Sequence, residues 1–160
     1  MFNNFCMFRL ILIFSFLISL NLYGKKGTVT GYDIPRFVSL KSNEVNMRVG
    51  PSINYPINLK YTKQNLPIEI IDEFDVWRKI RDHENNTGWI HVSQLSKKKA
   101  AIVIDDDLIM FKSPTIYSKP IVILKKGKLS KIVKCKNEWC KAKTGKYKGW
   151  LKKESLWGRL

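Results

Sequence analysis

Histidine and cysteine are scarce in this chain, at two and three residues of 160. His83 and His91 have no cysteine nucleophile nearby and no partner at metal-ligand spacing, which argues against both a catalytic triad and a zinc centre. No glycine-rich phosphate loop and no nucleophile elbow occurs. No segment sustains a 3.6-residue apolar period, so no long helix is expected. After the first two dozen residues no apolar run reaches the length of a membrane span. Asp105-Asp106-Asp107 lacks the ligand loop of a calcium site and reads as a charged turn. The chain is therefore expected to be no enzyme and to hold no cofactor or metal.

Acidic residues are also short in supply, and unevenly so. The whole chain carries 29 Lys and Arg against 13 Asp and Glu, a net charge of +16. Lys25 to Asp107 is nearly balanced, with 13 basic and 11 acidic residues. Leu108 to Trp157 has 14 lysines against Glu138 and Glu154. A field of that sign concentrates phosphate and carboxylate polymers or acidic lipid. The same excess is also what compositional drift toward Lys, Ile and Asn produces, and sequence alone leaves both readings open.

Residues 1–24 read as an export signal. Arg9 precedes an apolar run, Leu10 to Leu20, of signal-core length and short of a comfortable span of ~20 residues. Gly24 suits the last position before cleavage and Leu22 does not, so an uncleaved anchor is the alternative. The expected location is the periplasm or the exterior, with the membrane met only transiently or through that anchor. Export makes a nucleic-acid partner unexpected.

Cys135 and Cys140 flank Lys136-Asn137-Glu138-Trp139, with strand-like segments on either side. That places them across a hairpin near its turn, where an oxidising compartment favours a disulfide. The spacing is not that of a redox-active CxxC pair.

The body repeats itself. Pro51, Trp77, Gly88-Trp89 and Leu95 recur as Pro114, Trp139, Gly149-Trp150 and Leu156, at offsets drifting only from 63 to 61. Each copy holds short alternating segments, such as Val45-x-Met47-x-Val49, broken by polar turns. This predicts an all-β chain of two small barrels over residues 36–96 and 100–158. In units this small the tryptophans are expected to supply much of the core. Aligning Trp77 with Trp139 matches Glu73 to Cys135 and Arg78 to Cys140. Facing hairpin positions would then hold an ion pair in one copy and a cysteine pair in the other.

Val45-Asn46-Met47-Arg48-Val49-Gly50-Pro51, Tyr55-Pro56, Trp77, Gly88-Trp89-Ile90 and Leu95 together resemble the bacterial SH3 (SH3b-like) family. More narrowly, the chain looks like the exported tandem SH3-like proteins of alphaproteobacterial type. The resemblance spans about residues 36 to 158 and implies two tandem small SH3-like β-barrels after the signal segment, without catalytic residues. Cell-envelope or peptidoglycan association is its loosest implication. The second copy departs from the pattern: Ile109 to Pro114 keeps the proline and lacks the Asn, Arg and Gly.

Binding candidates follow from exposure and charge. Tyr55, beside Pro56 in a polar loop, is expected to be exposed, and Tyr61 joins it in the aromatic set of the first copy with Trp77 and Trp89. Arg48 is placed either to pair with Glu44 or Asp72 or to face a ligand carboxylate, which its fork suits. Lys141, Lys143, Lys146 and Lys148 alternate with small or apolar neighbours along the second copy and so share a solvated face. That face is either a solubilising surface or a dock for an anionic partner. The expected function is a non-enzymatic envelope module that binds peptidoglycan or another anionic component. The alternative is an adaptor that holds an envelope protein through the groove of the first barrel.

Overall fold

Alternating segments of four to eight residues cannot bury an apolar face as helices, and the turns between them are built for reversal. Asp75 and Asn137 take positive φ (45° and 52°) at matching hairpin turns of the two copies. Asp and Asn tolerate that conformation better than other side chains. The computed structural model describes residues 24–160, so the signal segment expected over residues 1–24 lies, but for Gly24, outside the described residues.

A two-stranded hairpin comes first, β1 (Lys25–Lys26) and β2 (Asp33–Ile34). The first large sheet contains β3 (Arg36–Leu40), β4 (Val45–Arg48), β5 (Ile57–Tyr61), β6 (Pro67–Phe74), β7 (Trp77–Arg81), β8 (Thr87–His91) and β9 (Leu95–Ser96). The second contains β10 (Ala100–Val103), β11 (Leu108–Phe111), β12 (Pro120–Leu124), β13 (Leu129–Lys136), β14 (Trp139–Thr144), β15 (Tyr147–Lys152) and β16 (Leu156–Gly158). A 3₁₀ turn over Val92–Gln94 precedes β9. The spatial orders are β5-β4-β8-β7-β6-β3-β9 and β12-β11-β15-β14-β13-β10-β16, one topology used twice, antiparallel throughout.

Each sheet curls round its own core. Leu40, Val45, Met47, Ile68, Ile80 and Ile90 are fully buried in the first barrel; Val103, Met110, Cys140, Ala142 and Leu151 are fully buried in the second. These cores are mostly aliphatic, with Tyr61 the aromatic member of the first, which corrects the expectation that the tryptophans would supply much of them. Successive strand residues point to opposite faces. Ile90, Cys140 and Leu151 take the inward positions, so their neighbours Trp89, Trp139 and Trp150 lie half-buried on the outside. Trp77 is buried, but outside the aliphatic cluster, with its ring edge-on to His91 at 5.4 Å.

The glycine of each Gly-Trp pair is required by close approach. A Cβ on Gly88 would lie 2.6 Å from Met47 Cγ and 2.8 Å from the Arg48 carbonyl oxygen. One on Gly149 would lie 2.6 Å from both Met110 Cγ and the Phe111 carbonyl oxygen.

The staples across the hairpins differ as the repeat alignment predicts. Glu73 pairs with Arg78 in the β6–β7 register, and Cys135 pairs with Cys140 in β13–β14. Arg78 Nε lies 3.6 Å from Glu73 Oε1, and the two cysteines form a disulfide.

The barrels also meet each other. Trp157 on β16 packs edge-on against Phe37 of β3 at 4.9 Å and lies near the His83 ring at 6.1 Å. Ile102 and Leu129 of the second barrel join the core cluster of the first.

Candidate binding surface

The outer face of β14 and β15 gathers most of the lysines singled out by alternation. Cys140, Ala142 and Thr144 point inward on β14, as Gly149 and Leu151 do on β15. Trp139, Lys141 and Lys143 therefore share the outer face with Lys148, Trp150 and Lys152. The register sets Lys141 opposite Trp150, Lys143 opposite Lys148, and Trp139 opposite Lys152. Lys141 Nζ stands over the Trp150 ring at 5.8 Å, within cation–π range. Phe111, opposite Trp150 on β11, contacts the Trp139 ring edge-on at 5.7 Å. Lys146 sits at the β14–β15 turn with its ammonium 5.4 Å from the Tyr147 ring.

The electrostatics of this face are poorly compensated. Lys152 reaches Glu154 at 3.1 Å, whereas Lys141, Lys143 and Lys148 form no ion pair among the described residues. Like charges directly opposite each other, as Lys143 and Lys148 are, disfavour the pairing. An anion laid across them would relieve that repulsion. The first barrel handles the same face differently. Lys79 stands opposite Trp89, but Arg81 is neutralised by Glu69 at 2.5 Å.

Phe111, Trp139 and Trp150 are not among the sequence candidates for binding. The signal was present, because Trp139, Lys141 and Lys143 have one strand parity. It was hidden by assigning tryptophan to the core.

Tyr55 is 46% exposed, and its ring rests on Gly50, where a Cβ would lie 2.6 Å from the ring. Arg48 pairs with neither Glu44 nor Asp72. Its Nη1 donates to the Tyr55 carbonyl at 2.7 Å, and Glu44 and Asp72 are taken by Lys60 and Lys25. The β11–β12 loop repeats the hydrogen bonds of the β4–β5 loop at an offset of 63, which puts Ser118 at the position of Tyr55. The nearby Tyr117 is 92% exposed.

Tyr61 is not a surface residue, which corrects its candidacy as a ligand contact. It faces inward on β5, and its hydroxyl donates to Asp82 at 3.0 Å. Burial, then the Asp82 charge and hydrogen bond, drive its pKa far above the usual phenol range. Asp82 also accepts from the Asn86 amide and Nδ2 and from the Glu84 amide, so this buried acid organises the β7–β8 turn.

One buried carboxylate ties the N-terminal hairpin down. The Glu73 side chain is fully buried; it accepts from Arg36 Nη2 at 2.6 Å, from Thr30 Oγ1 at 2.7 Å, and from the Thr30 and Val29 amides at 2.8 and 3.1 Å. Burial alone would raise its pKa. The bonds from Arg36, Thr30 and Val29 outweigh burial and hold it at about 2. Lys125, paired with Asp107 on the surface, has its pKa raised by that bond. No cluster of three or more His, Cys, Asp or Glu residues suited to a metal occurs among the described residues.

Among solved structures the chain is similar to NlpC2 from Trichomonas vaginalis (13% identity, TM-score 0.36), covering 80% of this chain and 49% of that one. NlpC1 from the same organism matches at 12% identity and TM-score 0.34, covering 82% and 48%. An NlpC/P60 family protein from Bacillus cereus matches at 9% identity and TM-score 0.36, covering 76% and 56%. The chain thus spans about half the length of these proteins. No curated protein matches. The bacterial SH3 domain model matches twice, at residues 41–97 and 105–158, and the chain belongs to the bacterial SH3 domain family.

Proposed function

We propose that this protein is an exported, non-enzymatic envelope module that holds an anionic wall polymer, peptidoglycan or a polymer attached to it, on the outer face of its second barrel. The observation that carries this reading is the Lys141–Trp150 pair, flanked by Lys143, Lys148 and Trp139 on one strand face. Aromatic rings offer flat apolar area to a sugar or peptide, and uncompensated ammonium groups supply charge. Membership in the bacterial SH3 domain family supports a binding role. The test is sedimentation of the protein with purified sacculi across a salt series. Binding at low ionic strength that falls with added salt is expected, since surface charge pairs are screened. No sedimentation at low salt counts against the proposal.

A second reading rests on the first barrel. Val49, Ile53 and Tyr55 of the β4–β5 loop and Ile57 at the start of β5 are all at least 46% exposed. Such a patch suits a protein partner, making the chain an adaptor. A Tyr55→Ala variant that keeps every crosslinked partner in the native cell would argue against it.

A further inference from the structure

A cleft of about 720 Å³ opens where the two barrels meet. That volume lies in the ~300–1,000 Å³ range of small-ligand sites. Its floor is apolar, with Phe37, Val38, Ile70 and Leu95. Its rim is basic. Lys97 comes from the first barrel's side and Arg159 from the second's, and neither forms an ion pair among the described residues. Asp33, the acidic side chain of the lining, is engaged by Lys26 at 2.5 Å, and Leu160, next to Arg159, lines the cleft too. Arg36 also lines the cleft. Its Nη2 is held by Glu73, while its Nη1 is buried without a hydrogen-bond partner.

The backbone adds a direction. β3 runs over Arg36–Leu40, but β9 pairs only with Ser39 and Leu40. Among the described residues no strand pairs with Arg36–Val38 on that side, although the Trp157 ring packs against Phe37 there. An open edge of this kind takes an extended peptide as an added strand. An apolar floor is unsuited to a uniformly charged polymer, and the unpaired cations are unsuited to a wholly apolar segment. One occupant satisfies all three features.

We propose that the inter-barrel cleft docks the carboxyl-terminal end of an extended peptide whose last residue is apolar. The main chain would add to β3, the side chain would enter the Phe37–Leu95 floor, and the α-carboxylate would face Arg159 and Lys97. The inference is independent of the polymer site proposed above.

The test uses the full-length protein and fluorescence anisotropy with a short N-acetylated, labelled peptide ending in leucine, as the free acid and as the C-terminal amide. The acid is expected to bind about tenfold or more tightly than the amide, the scale of hydrogen bonds to a charged group. Arg159→Gln with Lys97→Gln should reduce the acid to the affinity of the amide while leaving the melting curve in place. Lys141→Gln with Lys148→Gln, neither of which lines the cleft, should leave peptide binding unchanged and weaken sacculus binding instead. Equal affinity for acid and amide, no binding at millimolar peptide, or indifference to the rim substitutions overturns the proposal. So does dimerisation abolished by Arg159→Gln, which would assign the cleft to a second copy.

Discussion

Replacing Glu73 with glutamine separates the charge of this carboxylate from its shape. In the wild type the carboxylate has a pKa of about 2 against an ordinary 4.5, a depression of about 2.5 units. Each unit corresponds to ~1.4 kcal/mol of preferential interaction with the charged form, so the charge contributes on the order of 3 kcal/mol. Because the folded-state pKa is depressed, that contribution is fully present above about pH 4.5 and is lost as pH falls toward 2. Glutamine keeps the size of the side chain but leaves Arg36 and Arg78 without a counter-charge, and removing one partner of a buried pair costs ~3–5 kcal/mol. Urea unfolding of both proteins from pH 7 to pH 2 should show Glu73→Gln less stable by about 3 kcal/mol at pH 7. The gap should close toward pH 2, where the wild-type carboxyl is itself about half protonated in the folded state and almost wholly protonated when unfolded. Taking the difference cancels the other carboxylates, which titrate in both proteins. Hydrogen exchange adds a local readout, because the Val29 and Thr30 amides donate to Glu73. Their protection should fall at pH 7 in the variant. A gap that stays constant down to pH 2 would refute the assignment of this carboxylate as the charged anchor of the hairpin.

Reduction of the Cys135–Cys140 disulfide, or its replacement by two alanines, should lower stability by about 2 kcal/mol, the chain-entropy scale for so short a loop. Urea midpoints with and without reductant measure this, and the alanine variant should not respond to reductant. Gly149→Ala should destabilise by ~1–3 kcal/mol or more, because the new Cβ meets a backbone carbonyl as well as the Met110 side chain; a thermal melt reads the loss. Gly50→Ala should displace the Tyr55 ring while sparing the core, seen as a change in tyrosine NMR shifts with little change in melting temperature.

The fold was legible because its signals are local and doubled. Strand parity, turn residues and the Gly-Trp pairs each recur one repeat later, and two copies that agree constrain register more tightly than either alone. The Glu73–Arg78 and Cys135–Cys140 matches show how far this goes: alignment of two tryptophans placed two chemically unrelated staples at one structural position. What failed was the assignment of individual side chains to a face. Tyr61 and the tryptophans were ranked by residue type, whereas parity within the strand decides burial. Tyr61 falls on the inner face, with Asp82 supplying a buried acceptor from a distant turn, and no local pattern announces that partner. Trp139 and Trp150 fall on the outer face, where tryptophan is less expected.

The cleft was not legible for a different reason. It depends on how two barrels abut, and none of the repeat logic carries that information. Trp157 wedges against Phe37 and His83. Gly158, at φ 145°, brings β16 so near that a Cβ would lie 2.4 Å from the Ala100 carbonyl oxygen and 3.0 Å from Pro67 of the first barrel. The cores and topology of the two barrels stay alike because each must solve the same packing problem. The outer faces differ because nothing in that problem constrains them. On the first barrel Glu69 neutralises Arg81, whereas on the second Lys143 and Lys148 face each other unpaired. Such repulsion lowers stability and gives the fold nothing in return. That uncompensated pair beside the Phe111, Trp139 and Trp150 rings is the physical ground for reading that face as a binding surface.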